Sequence, residues 1–162
     1  MPIIHKEIIL ILHNIRSAEN VGSIFRTSDA AGVFKIYCAG YTPAPVDKFG
    51  RKQNKIKKTA LGAEETVLWE KVKDIGSIIK KLKKEGFFIA AIEQNKKAID
   101  YRFINGNNSS TSKIAFVFGN EKKGISGAIL NKCDEIREIP MRGKKESLNV
   151  SVAVGIVLFS LD

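Results

Sequence analysis

Cysteine, histidine and long apolar runs are all scarce in this chain. Only two cysteines, Cys38 and Cys133, occur among 162 residues, far apart and in no CxxC pair. That excludes a disulfide-stapled scaffold and a zinc ribbon. His5 and His13 stand at no metal-ligand spacing with them, so no metal site is expected. Both thiols read as reduced, small apolar fillers of a cytoplasmic protein. No apolar run reaches the ~18 residues that cross a bilayer, and the N-terminus lacks the basic, apolar, small order of a secretory leader. Acidic residues are the minority, 17 against 27 lysines and arginines, for a formal net charge of +10. Neither a GxGxxG after a strand nor a GxxxxGK[ST] loop occurs, which weighs against an ordinary nucleotide-binding α/β protein.

What is present fits one folded domain over residues 1–162. Apolar residues make up 44% of the chain, which argues against disorder. The charge excess and a pI near 9.6 suit a polyanionic partner, most simply nucleic acid, although a generic basic surface has the same composition. Residues 7–12 (EIILIL) form the continuous apolar run of a strand buried on both faces. A helix is predicted over 20–31, with Val21, Ile24, Phe25 and Ser28 on one face, Asn20 as its N-cap and Gly32 as its C-cap. Further strands are predicted at 33–38, 65–69, 87–92, 114–118 and 134–139, and a short helix at 126–131. The stretch 71–84 reads as an amphipathic helix with Val72, Ile75, Ile79 and Leu82 inward. Segments 41–58 and 105–112 read as exposed loops. Strands alternating with helices imply an α/β fold, a mostly parallel sheet flanked by helices. The final segment from Leu148 alternates like a strand, but its length favours a helix. Such a helix is apolar nearly all round and needs a buried setting, for which a partner subunit is one candidate.

Three constellations carry polar residues at the mouths of apolar elements. In ENVGSIFRTSDAAG (19–32), Asn20, Ser23 and Arg26 recur every three residues along the helix. Asn20 reads either as a cap or as a site residue, and Arg26 either pairs with Asp29 or reaches a ligand. In FVFGNEKKGIS (116–126), a buried strand ends in Gly119 and places Glu121 just beyond it, where ligands of parallel sheets bind. A polar turn with two structural glycines has the same letters. In IPMRGKKESLNVSVAVGIVLFSL (139–161), a strand-like Ile139–Met141 leads through a basic glycine loop to Ser147 and Asn149. Those two serve either as a helix cap or as a site.

In this order the constellations resemble the SpoU/TrmH family of SPOUT-class RNA methyltransferases, from about residue 8 to 161. KTALGAE at 58–64 is also similar to small members. The resemblance implies that the C-terminal part of the sheet forms a trefoil knot. It implies S-adenosylmethionine held near Ala91, Ile92, Gly119, Asn120, Ile139, Met141, Ser147 and Leu148. It implies a homodimer packed through the knot, with no membrane and no metal. The activity implied is methyl transfer to a ribose 2′-hydroxyl of structured RNA, with tRNA placed ahead of ribosomal RNA. A catalytically silent RNA-binding protein of the same fold is the alternative.

The resemblance places Arg26 at the centre of the chemistry, with Asn20, Glu121, Ser147 and Asn149 around it. A guanidinium rarely gives up its proton, so Arg26 is either a general base or a stabiliser of the developing alkoxide. RNA contact is expected from Lys48, Arg51, Lys52, Lys55, Lys57 and Lys58, set against Asp47 alone, and from Arg142, Lys144 and Lys145. Larger relatives carry an extra RNA-binding domain. With short ends here, substrate selection is expected from the core or a partner protein.

Overall fold

A computed structural model describes residues 6–103 and 112–161. The elements run β1 (Glu7–His13), α1 (Ala18–Ala31), β2 (Lys35–Ala39), α2 (Asn54–Ala60), α3 (Ala63–Thr66), β3 (Leu68–Val72), α4 (Ile75–Lys84), β4 (Phe88–Ile92), β5 (Ile99–Asp100), β6 (Lys113–Phe118), α5 (Gly127–Leu130), β7 (Glu135–Glu138) and α6 (Val150–Leu158). The strands form one sheet in the order β3-β2-β1-β6-β4-β7-β5, and every neighbouring pair is parallel. No helix among the described residues is long and apolar enough to cross a membrane.

The sheet is covered on both faces, which is why its central strands read as unbroken apolar runs. Successive residues of β1 point to opposite sides. Leu10 and Leu12 join Ile36, Phe116 and Phe118 against α1, α2 and α6, while Ile9 and Ile11 join Ile89, Ala91 and Val117 against α4. Gly32 closes α1 in the left-handed region, as its position predicts. Burial pushes the Cys38 thiol up to about 12 and the Cys133 thiol up to about 11, so neither supplies a thiolate at neutral pH.

Several expectations are corrected. The cap of α1 is Ser17, whose hydroxyl accepts from the Asn20 amide N–H, so Asn20 lies inside the first turn and its side chain is released for other contacts. Residues 54–58 of the loop expected at 41–58 belong instead to α2, which continues to Ala60 and is anchored by fully buried Ile56 and Ala60. The strand expected at 65–69 begins at Leu68, after α3. Val72 ends β3, and α4 starts after the Asp74 cap, with Ile75, Ile78, Ile79 and Leu82 inward. Residues 139–141 lie beyond β7, and the short strand β5 has no periodic signal in sequence. The loop expected at 105–112 lies, except for Ser112, outside the described residues. The last segment is a helix, α6, because Val150, Val154, Val157 and Leu158 are buried at helical spacing.

Gly22 lets α2 lie directly on α1. A Cβ there would collide with the Thr59 hydroxyl and the Ile56 carbonyl. Gly→Ala inside a helix ordinarily adds about 1 kcal/mol of stability. At Gly22 the sign is expected to reverse, with a loss of about 1–3 kcal/mol from overpacking. Denaturant unfolding of Gly22→Ala checks this, and an unchanged or higher midpoint would place the two helices farther apart.

Candidate active site

The carboxyl ends of β4 and β6 and the chain after β7 enclose a cavity of about 260 Å³. Its walls include Ile92, Gly119, Asn120, Glu121, Ile139, Met141, Ser147 and Leu148, all among the candidate site residues. The side chain of Ala91 is fully buried in the α4 layer on the other face of the sheet, and the resemblance assigns its backbone to the methyl donor. Glu93, Gln94, Lys122 and Glu146 also line the cavity and were not foreseen. Glu93 and Gln94 follow β4 directly, and their position beyond a strand's carboxyl end was the available signal.

The turn after β6 is compact and tightly bound. The Asn120 carbonyl accepts from Gly124 N at 2.9 Å, and the Asn120 Oδ1 accepts from Lys122 N and Lys123 N at 2.9 and 2.8 Å. A Cβ on Gly119 would press into the Gly124 backbone at 2.8 Å, and Gly124 sits at φ +65°. Both positions therefore require glycine. The Glu93 carboxylate accepts from Ile125 N at 2.7 Å, and Gln94 Nε2 donates to the Ile139 carbonyl at 2.7 Å. These two bonds tie the β6 turn and the tail after β7 to the end of β4.

Three of the expected catalytic residues meet directly. The Glu121 carboxylate accepts from Arg16 N at 3.2 Å, Ser17 N at 3.3 Å and Asn20 Nδ2 at 3.4 Å. Asn20 Oδ1 in turn accepts from Asn149 Nδ2 at 3.2 Å. Asn149 caps α6, with its Oδ1 accepting from Ser151 N at 2.9 Å. Partial burial would raise the Glu121 pKa, but the N–H groups of its own backbone, Arg16, Ser17 and Asn20 outweigh it, and the net shift is downward.

Arg26 stands apart within the single chain. It lies six residues beyond Asn20, about 9 Å along the helix axis. Its exposed side chain lines a separate recess with Ser23, Lys58, Leu61 and Phe159. Asp29 accepts instead from the Thr66 hydroxyl at 2.9 Å. The basic residues Lys48, Arg51, Lys52, Lys55, Lys57, Lys58, Arg142, Lys144 and Lys145 are all exposed. Arg51 pairs with Asp47 at 2.9 Å and Lys52 with Glu65 at 3.6 Å.

A carboxylate whose folded pKa is depressed stabilises the fold above its unfolded value, near 4.5 here, and loses that contribution as pH falls through the folded pKa. Glu121→Gln is therefore expected to be less stable than the wild type at neutral pH, with the gap closing below pH 4.5. Urea midpoints across that range check it; a pH-independent gap would mean that charge is not involved.

The profile of the SpoU rRNA Methylase family matches residues 7–159. The 23S rRNA (guanosine-2′-O-)-methyltransferase RlmB of Escherichia coli K12 is 32% identical over 151 residues, covering 93% of this chain and 58% of that protein. The enzyme of the same name from Neisseria meningitidis is 34% identical over 151 residues, covering 93% and 56%. The chain thus spans less than two thirds of the length of these curated relatives. A crystal structure of an A. aeolicus TrmH/SpoU tRNA modifying enzyme superposes with a TM-score of 0.81 at 30% identity, covering 96% of this chain and 74% of that one. An AdoMet-bound rRNA methyltransferase from Sinorhizobium meliloti gives 0.84 at 25% identity, covering 96% and 55%. A profile match over residues 7–159, on a chain that superposes with a TM-score of 0.81 on a solved TrmH/SpoU enzyme, makes this protein a member of the SpoU rRNA Methylase family.

Proposed function

We propose that the chain transfers a methyl group from S-adenosylmethionine to a ribose 2′-hydroxyl of structured RNA. The observation that carries this is the link from Glu121 through Asn20 to Asn149 beside the cavity walled by Gly119, Ile139 and Leu148. The residues fit the methyl donor. The cavity mixes apolar walls with polar groups, and Glu93, Glu121 and Glu146 against Lys122 favour a cationic sulfonium. When bound there, S-adenosylmethionine supplies an electrophilic methyl group. The relatives named above divide between 23S ribosomal RNA and tRNA, so either RNA is a candidate substrate. A cytoplasmic location belongs to the same reading.

The ribose oxygen forms its bond to the methyl carbon as the carbon–sulfur bond breaks, and the hydroxyl proton passes to solvent. Arg26 is assigned to the developing alkoxide or the adjacent phosphate, as a fixed positive charge rather than a proton acceptor. Asn20 and Asn149 hold the N-termini of α1 and α6 in register. Glu121 fixes the turn, and Ser147 and Leu148 shape the loop over the methyl donor. The basic segments at 48–58 and 142–145 supply phosphate contacts.

A homodimer completes this reading. Val152 on α6 is 50% exposed, and Phe159, at the end of that helix and in the Arg26 recess, is 62% exposed. A second copy covering this surface would bring its cavity to Arg26. The trefoil knot is part of the same proposal. Its support is the path of the chain: β7 enters between β4 and β5, and the tail then returns past the ends of β4 and β6 to set α6 on α1.

Arg26→Ala is expected to abolish methyl transfer to total tRNA or ribosomal RNA while leaving S-adenosylmethionine affinity within about threefold, since the lost interaction acts only in the transition state. Calorimetric titration and a radiolabelled-methyl assay measure the two. Loss of both together would show that Arg26 is misplaced in this scheme, and wild-type protein that binds no S-adenosylmethionine would end the proposal.

A further inference from the structure

Tyr41 is an exposed aromatic residue bonded through its own N–H and its hydroxyl, with both neighbouring residues held by Lys71. The residue is 55% exposed, yet its own N–H donates to Asn14 Oδ1 at 3.1 Å. Its hydroxyl accepts from Asn120 Nδ2 at 2.8 Å. The carbonyls on either side, of Gly40 and Thr42, both accept from Lys71 Nζ. Thr42 is fully buried, and its hydroxyl donates to the Leu12 carbonyl at 2.7 Å and accepts from Ile15 N at 3.0 Å. Gly40 leaves no room for error: at φ +64°, a Cβ would strike the Asn14 side chain. A lone exposed ring needs no such bracing, because scattered apolar surface is ordinary. Bracing it removes conformational entropy in advance, as a preorganised binding surface requires.

Position gives the ring its partner. Asn120 walls the cavity and also binds the Tyr41 hydroxyl, so the ring begins one hydrogen bond from the site. The chain after Tyr41 runs into exposed Lys48, Arg51, Lys52, Lys55, Lys57 and Lys58, which draw a polyanion to this side. A ribose presented to the cavity carries a base, and a fixed aromatic face beside it is the element that single-stranded nucleic acid sites use for stacking. We propose that Tyr41 is a stacking platform for an unpaired nucleobase at or next to the target nucleotide. This rests on the RNA methylation reading above.

The test uses the full chain, with Tyr41→Ala, Tyr41→Phe and Tyr41→Trp. Three readouts apply: calorimetric affinity for S-adenosylmethionine, the KM and kcat of methyl transfer to total RNA, and fluorescence of a single-stranded oligoribonucleotide carrying 2-aminopurine. Tyr41→Ala is expected to raise KM for RNA about tenfold and to lose the fluorescence quenching seen with wild type, at unchanged S-adenosylmethionine affinity. Phe and Trp variants keep the π-face but lose the bond to Asn120, so they retain quenching and raise KM by no more than about threefold. Quenching in a wild-type protein that transfers no methyl group would support the platform while ending the methylation reading. The proposal is overturned if Tyr41→Ala keeps its KM, if Tyr41→Phe fails equally, or if S-adenosylmethionine affinity falls in parallel. It is also overturned if Tyr41→Ala changes the sedimenting mass, which would assign the ring to contact with a second copy.

Discussion

The site depends on one carboxylate at the start of a helix. Glu121 leaves the end of β6 and accepts N–H groups from Arg16 and Ser17 and the amide of Asn20. Those donors belong to the N-terminus of α1, where the helix presents unsatisfied N–H groups and partial positive charge. A negative side chain there is held by charge-assisted bonds that a neutral one cannot reproduce. Asn20 then passes the constraint on to Asn149 and so to the first turn of α6. Asn20 is thus joined to Glu121, 101 residues further along the chain, and to Asn149, 129 residues further along, in one chain of hydrogen bonds.

The remainder of the molecule serves as a rigid mount for that junction. The parallel sheet buries both faces of β1, β4 and β6, so the ends of these strands are fixed and the loops beyond them inherit their positions. Close approaches set the finer geometry. Gly22 allows α2 onto α1, and Gly119 and Gly124 allow the β6 turn to fold against Ile125 and Glu93. Charge is segregated over the same framework. The cavity gathers Glu93, Glu121 and Glu146 against Lys122, while most of the cations stand outside it, on α2 and on the segments at 48–52 and 142–145. A chain of net charge +10 therefore offers an acidic pocket within a basic surround, which matches a cationic methyl donor meeting a polyanion.

Much of this was readable from particular residues. EIILIL and IAFVF are buried strands because no other element of that length is apolar on both faces, and both stand in the centre of the sheet. GNEKKG announced a turn beyond a strand, and the turn forms. Residues 54–58 read as loop because lysines dominate the letters, while the helix they belong to buries two positions, Ile56 and Ala60. Asn20 was taken for the cap because it is a favoured cap residue, but Ser17 is too, and only the path of the chain before α1 chooses between them.

Local sequence determined what the strongly apolar segments are, namely the central strands and the stops of α1 and α4, and that polar residues cluster at the mouths of apolar elements. Those properties depend on the chemistry of near neighbours, which periodicity and turn preferences encode. Only the tertiary structure decided which of those residues meet. It brought Asn20, Glu121 and Asn149 together, turned Ala91 to the far side of the sheet, added Glu93 to the cavity and left Arg26 in a separate recess. Contacts across a hundred residues depend on strand order and on the return of the tail past the sheet. The order β1-β6-β4-β7 is fixed by packing of the whole core and is written in no single stretch of the chain.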